Sequence, residues 1–463
     1  MSHVDTLLAQ HAPWANTDLQ WALTPLETFL WLDDRPQYPL LFQITLRFAG
    51  SIDPDAMRDA WRFAVGRNPL LRATIRANSR GAVWHASPTG WQELTVVGMG
   101  QENSRKTSQI DLEKTSGLHG WLCQTSIGWD LNMIFHHACC DGHGARVFLQ
   151  DLALAYSVFR RSCLHDDPFF TTDITRLLKR GTHPPIEVAN DSVWLRTYRS
   201  LRFILLHPKP IARELLLKND PLGNDRSGTV IGFCSHTFSA EQVVRMQESR
   251  KRYDATVNDI AVAMLFDVIG DWQRTHGMRS ESRLRVTVPI DLRTREDERM
   301  SAANRYSYLF LNRSLKECKA WHELLPELKR ELGYLRNTQR GVELLGNIGV
   351  FASRPRIMRW VLQRQLCFST AVLTNLSDPT RRLRKRLRVD SEGFMWLDKA
   401  QCIDIQLQTP PLRPGTRWAI GILEYAGRMT FSFQYDTTTI AAPTAASVLQ
   451  DYVQKWHDVI DGR

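Results

Sequence analysis

The stretch Leu131-Asn132-Met133-Ile134-Phe135-His136-His137-Ala138-Cys139-Cys140-Asp141-Gly142 concentrates the side chains able to do chemistry. An apolar run of strand character ends in two histidines, and the Asp-Gly pair that follows reads as a turn. Val147, Phe148, Leu149, Leu152, Ala153 and Tyr156 then recur at helical spacing. A strand that delivers a histidine into a turn just before a helix is well placed to hold a general base. The turn fixes the backbone, and Asp141 can be held inward to anchor it. Neighbouring residues of a strand point to opposite sides, so only one of His136 and His137 faces a given cleft. A metal site is the competing chemistry, because His136, His137, Cys139, Cys140, Asp141 and His143 are all ligand types. Zinc needs four ligands that converge, and residues packed this closely along the chain cannot all point one way. No metal is expected.

The surrounding sequence reads as a mixed α/β domain able to position that turn. Thr24-Pro25-Leu26-Glu27 opens a helix with a Thr cap, Pro at the first helical position and Glu three residues on. A strand-like run, Leu41 to Phe48, follows. Asp53-Pro54 caps a second helix whose Met57, Ala60, Trp61 and Ala64 form one apolar face. Leu70 to Ile75 resumes strand character, and short strands fill the stretch up to the histidines. Residues 163–195, rich in Asp, Pro, Thr and His, read as a linker, and Val193 to Lys218 as a basic amphipathic helix. The second half restarts with a strand over Thr229 to Phe238. Capped helices open at Ser239 and Thr256, and a strand runs from Leu284 to Ile290. Helices fill roughly 314–365. Strands are expected at Phe368–Asn375, Trp418–Tyr425 and Met429–Tyr435, then a final helix over about 443–460.

Composition narrows the function classes. Hydrophobic residues make up 43% and charged residues 23% of 463, which fits a globular protein of two domains or one large one. Fifteen tryptophans serve either packing or the lining of a tunnel. The net charge of +10 and the run Arg381-Arg382-Leu383-Arg384-Lys385-Arg386-Leu387-Arg388 fit phosphate-bearing cofactors or an anionic membrane. No zinc-finger or RNA-binding signature accompanies them, so nucleic acid is not an expected partner. The eight cysteines show no C-x-x-C pairing, which points to reduced thiols and a cytoplasmic location. No signal peptide and no membrane span is read. Val193–Lys218 and Arg381–Arg388 are the segments expected to make any peripheral membrane contact.

The spacing His136-His137-x-x-x-Asp141-Gly142 resembles the signature of the chloramphenicol-acetyltransferase-like superfamily. That group includes condensation domains of peptide synthetases, alcohol acyltransferases, and the wax ester synthase / diacylglycerol acyltransferase family. The opening Leu23-Thr24-Pro25-Leu26-Glu27 and the run Arg67-Asn68-Pro69-Leu70-Leu71-Arg72 resemble the wax ester branch in particular. Gly117-Leu118-His119-Gly120-Trp121 departs from that branch's Pro-Leu-Trp element. Thr256–Asp259, Val288–Arg293, Asn304 and Thr374-Asn375 extend the resemblance over most of the chain.

The resemblance implies an α/β fold of two chloramphenicol-acetyltransferase-like subdomains, each a mixed sheet flanked by helices, with the site in a tunnel between them. The expected division is 1–180, carrying the histidines; 181–228, linker and basic helix; and 229–463, the second subdomain. It further implies acyl transfer from a CoA or carrier-protein thioester to an alcohol or amine, with no tightly bound cofactor. His137 becomes the general base, supported by His136, Asp141, Gly142 and an ion pair from Asp141 to Arg293. Asn304, Thr374 and Asn375 are candidates for contacts to the oxyanion or substrate, and Arg381, Arg382 and Arg384 for the phosphates of CoA or a carrier arm. The alternatives are a stand-alone condensation domain forming an amide on a carrier protein, and a non-catalytic basic lipid-binding scaffold.

Overall fold

The computed structural model describes residues 2–78, 81–99, 109–165, 167–183, 194, 198, 208–214, 230–337 and 340–462. The expected helix at 193–218 lies almost wholly outside these residues, whereas most of the expected linker, 163–195, lies within them. In the first half the order is α1 (His3–His11), β1 (Leu19–Ala22), α2 (Pro25–Asp33), β2 (Leu41–Gly50), α3 (Pro54–Arg67), β3 (Ala73–Asn78), β4 (Gly81–Ala86), β5 (Thr95–Val97), β6 (Leu118–Gln124), β7 (Gly128–His136) and α4 (Gly142–Phe159). In the second half follow β8 (Ile231–Phe238), α5 (Ala240–Ser249), α6 (Val257–Thr275), β9 (Arg283–Asp291), β10 (Tyr306–Ser314), α7 (Trp321–Asn337), α8 (Arg340–Ala352), α9 (Pro355–Gln363), β11 (Ala371–Ser377), β12 (Trp396–Leu397), β13 (Ala400–Gln408), β14 (Trp418–Tyr425), β15 (Arg428–Asp436) and α10 (Ala442–Asp461).

The expected caps are present because each satisfies backbone donors that a helix start leaves open. Thr24 and Glu27 exchange hydrogen bonds as a capping box, as do Thr256 and Asp259. The Asp53 carboxylate accepts from the amides of Asp55 and Ala56. Two readings need correction. Pro69–Arg72 is a 3-10 turn, and strand β3 begins only at Ala73. The proline fixes the turn, and Arg72 folds inward to donate to the carbonyls of Ala15 and Ser87. The segment after residue 163 is also more than a linker. Arg180 is buried and forms a two-pronged pair with the Glu27 carboxylate, which also accepts from the Trp84 indole.

Two six-stranded sheets carry the architecture. One runs β12-β13-β2-β7-β6-β5, the other β10-β9-β11-β14-β15-β8, and β1-β4-β3 forms a small third sheet. Strand β13 belongs by sequence to the second half, yet it pairs with β2 from Ala400 opposite Gly50 to Gln408 opposite Gln43. The expected division therefore misses an exchange: Trp396–Gln408 extends the first sheet. Gly50 makes the start of this pairing, with φ +97° and the Lys399 carbonyl where a Cβ would sit. Helices α3 and α4 cover one face of the first sheet, where Trp61, Phe135 and Phe148 pack edge to face. No helix among the described residues is long and apolar enough to cross a membrane.

Packing over β6 yields a stability prediction. A Cβ on Gly120 would overlap the fully buried ring of Trp61, whose indole N–H is tied to the Gln92 carbonyl. Gly120→Ala should cost about 1–3 kcal/mol and lower the melting temperature, because the ring cannot move aside without breaking that bond. An unchanged melting temperature by calorimetry would contradict this packing.

Candidate active site

Strand β7 sets both histidines by its ladder. The His136 amide donates to the Gly117 carbonyl at 2.7 Å, and the His137 amide to the Leu40 carbonyl at 2.8 Å. Alternation then separates the rings. His136 is 1% exposed, its Nδ1 accepts from the Ala138 amide at 3.1 Å, and its Nε2 lies 3.8 Å from Asp34. The His137 ring turns the other way. It packs edge-on against Phe42 and tilted against Tyr306, each at 5.4 Å between centroids, and lines a cavity of about 710 Å³ between the two halves. Burial pushes the His137 pKa below the ordinary 6.5, outweighing the opposite pull of its own carbonyl and Asp141.

Asp141 caps α4 through the Gly144 amide at 2.8 Å. The same carboxylate takes both guanidinium nitrogens of Arg293, at 2.9 and 3.0 Å, and the Arg305 amide at 2.9 Å. Arg293 also donates to the Ala303 carbonyl and to Asp291. Both side chains of the pair are 8% exposed. Burial alone would raise the Asp141 pKa, but Arg293 and the two amides more than offset it and hold it below the usual carboxylate value. Gly142 and Gly144 are required by close approach. A Cβ on Gly142 would meet Leu376, and one on Gly144 would meet Cys140 and the Ala303 backbone.

Asn304 has a different place from the one expected. Its amide nitrogen donates to the carbonyls of His137 and Ala138, at 2.8 and 2.7 Å, so it braces the turn and has no hydrogen left to offer an oxyanion. Asn375 lines the cavity, but its amide donates to Asn258 and its oxygen accepts from Ser377. Thr374 lines the cavity as expected. Arg381, Arg382 and Arg384 do not line it. Arg384 pairs with Asp378 at 2.6 Å, and Arg382 lies 4.3 Å over the Phe170 ring. Arg386 lies over the same ring and Arg388 over that of Trp396, while Arg381 is exposed. Among the described residues no three His, Cys, Asp or Glu side chains converge as metal ligands, and burial holds the Cys139 and Cys140 thiols well above their usual pKa.

Several cavity residues were not picked out from the sequence. Tyr306 and Tyr308 share a hydrogen bond of 2.8 Å between hydroxyls, and burial keeps both protonated. Their i, i+2 spacing on a strand was the available signal. Asp33 and Arg413 form a buried ion pair in the cavity wall, joined across the whole chain and invisible to local pattern. Arg146 and His143 stand at the Asp291 side of the cavity, His143 3.2 Å from that carboxylate. Much of the remaining wall is apolar, with Phe29, Leu30, Ile348, Phe351, Met358 and Leu362, and Glu343 and Asn347 of α8 add polar groups to it.

No family model matches the chain. Its two sheets with flanking helices match solved structures closely in shape. The first condensation domain of the CDA synthetase superposes with a TM-score of 0.66 over 96% of each chain, at 14% identity. The chain has the fold of a condensation domain. The trichothecene 15-O-acetyltransferase TRI3 of Fusarium sporotrichioides gives a TM-score of 0.66 at 11% identity, covering 96% of this chain and 95% of that one. Among curated proteins, an uncharacterized protein of Mycobacterium tuberculosis is 27% identical over 62% of this chain and 65% of its own length. A phthiocerol/phthiodiolone dimycocerosyl transferase of Mycobacterium bovis is 27% identical over 26% of this chain and 30% of its own.

The Asp141–Arg293 pair yields a test of the site's construction. Asp141→Ala leaves a buried guanidinium without its main partner and should cost about 3–5 kcal/mol, whereas the Asp141→Ala/Arg293→Ala double variant should cost less than the sum of the single changes. The carboxylate's contribution is present above its unfolded pKa of about 3.9 and is lost as pH falls through the lower folded value. Denaturant unfolding of the three variants across acid pH checks both points, and strictly additive effects would count against a coupled pair.

Proposed function

We propose that this chain is an acyltransferase that moves an acyl group from a CoA or carrier-protein thioester to an alcohol or amine. The observation that carries the reading is the His137 ring, pinned at its backbone and set into the wall of a largely apolar cavity between the halves. Its Nδ1 is buried, with its own carbonyl and the Asn304 side chain acting on the ring, and in this reading Nε2 meets the substrate. Nε2 takes the acceptor's proton as the acceptor's oxygen or nitrogen attacks the thioester carbonyl. The tetrahedral oxyanion then collapses, the carbon–sulfur bond breaks, and the departing sulfur receives the proton from the imidazolium. No covalent enzyme intermediate is needed when donor and acceptor share the cavity.

Thr374 is the oxyanion donor in this scheme: it lines the cavity, both amide hydrogens of Asn304 are spent on carbonyls, and Asn375 gives one of its two to Asn258. Asp141 and Arg293 position the base by fixing the end of β7 and the start of α4 against the second half. The apolar wall built by α2, α8 and α9 suits a long acyl chain. Supporting the reading are the acyl transfer named for the dimycocerosyl transferase and for TRI3, and a condensation-domain structure described with C8-CoA.

The test is thiol release from a series of acyl-CoAs with pooled alcohols and amines. His137→Ala should lower the rate by about 10²–10⁴-fold while the protein stays folded. Because the base titrates below 6.5, the acid limb of kcat/KM should lie below that pH, with the rate retained through neutrality. Wild-type turnover in His137→Ala, or an acid limb well above 6.5, would remove His137 from the role.

A further inference from the structure

Helix α9 separates the cavity from the outside by one helix thickness. Met358, Val361 and Leu362 line the cavity, and Met358 and Leu362 are each 3% exposed. At about 100° per residue, the opposite side carries Arg356, Trp360 and Gln363, with Ile357 and Arg359 on its flanks. All five are exposed, Trp360 to 57% and Ile357 to 48%. Between Ser353 and Gln365 stand Arg354, Arg356, Arg359 and Arg364 with no carboxylate among them. The Arg364 guanidinium lies 3.9 Å from the Trp360 ring centroid, and Arg359 lies 6.0 Å from that of Trp31 on α2. The Arg35 guanidinium holds the Leu362 carbonyl from the inner side.

We infer that α9 docks on an anionic lipid surface. Arginines attract anionic headgroups, and an indole flanked by them sits at headgroup depth with its ring in the apolar layer. An acidic protein would satisfy the arginines but would leave Ile357 and Trp360 without an apolar medium to enter. The docking extends the acyl-transfer reading by naming where a water-insoluble substrate arrives. A lipid drawn from the surface under α9 has only this helix between it and the cavity wall formed by Met358, Val361 and Leu362. The docking does not require turnover, so the two readings fail separately.

The experiment is sedimentation of the full chain with vesicles of phosphatidylcholine alone and with phosphatidylserine added. Binding is expected only with phosphatidylserine and should weaken with salt. Arg356→Glu with Arg359→Glu should lower the partition coefficient by more than about tenfold, since each arginine near such a surface contributes about fivefold. Trp360→Ser should lower it while leaving the salt dependence intact. All three positions are exposed, so far-UV circular dichroism of the variants should match wild type, and thiol release from a short, water-soluble thioester should be unchanged. Three results would overturn the docking: no binding of wild type to phosphatidylserine vesicles, equal binding by the variants, or binding to a purified acidic acyl carrier protein with none to vesicles.

Discussion

The carboxylate of Asp141 holds two problems in one place. It closes the open amides at the start of α4, and it neutralises a guanidinium that reaches over from the connection between β9 and β10. A buried charge of this kind is stable only when nearly all its hydrogen-bonding positions are filled, and here Gly144, Arg305 and both ends of Arg293 fill them. A salt bridge of fixed geometry therefore joins the halves at the cavity, beside the apolar packing of Leu345, Ile348, Met358 and Leu362 onto the first half. Asn304 applies the same logic one residue earlier, tying the turn after His137 to the second half through two carbonyls. The imidazole inherits its position from these contacts.

Much of this was legible in the chain because it depends on local chemistry. Caps at Thr24, Asp53, Ser239 and Thr256 are readable since each satisfies amides a few residues away. The opposite facing of His136 and His137 follows from strand alternation alone. The pairing of Asp141 with Arg293 came from resemblance; spacing alone cannot join residues so far apart. What stayed hidden has one cause, the dependence of a side chain's role on a distant partner. Asn304 reads as a free amide until the carbonyls of 137 and 138 are placed beside it. The contacts of Arg382 and Arg386 with Phe170 had no local signal either, since more than two hundred residues separate them. The Asp33–Arg413 pair had no local signal at all. β13 did have one, the alternation of Ala400, Cys402, Ile405 and Leu407 as buried residues, interrupted by a bulge between Cys402 and Asp404 that blurs the pattern.

The cavity combines two environments that favour the proposed chemistry in different ways. Part of the wall is aliphatic and aromatic, from helices and strands alike, and rewards an apolar substrate by burial at about 25 cal/mol per Å². The rest carries His137, the paired tyrosines and the guanidinium of Arg413, which is paired with Asp33. Low polarity around these groups strengthens each of their interactions with a charge that develops during reaction. The same low polarity lowers the His137 pKa, so that the ring stays unprotonated at neutral pH without a carboxylate partner of its own.

The exchange of β12 and β13 into the first sheet bears on how the chain is born. During synthesis β2 leaves the ribosome with its outer edge unpaired, and the strand that will cover it does not exist until translation has passed Gln408. At about 5–20 residues per second that interval is on the order of tens of seconds. Throughout it a nascent polypeptide displays a ten-residue rim of open amides and carbonyls, the kind of template that recruits stray strands. Half-made copies are thus the most adhesive form this molecule takes, and a chaperone that shields β2 would act before any finished copy exists.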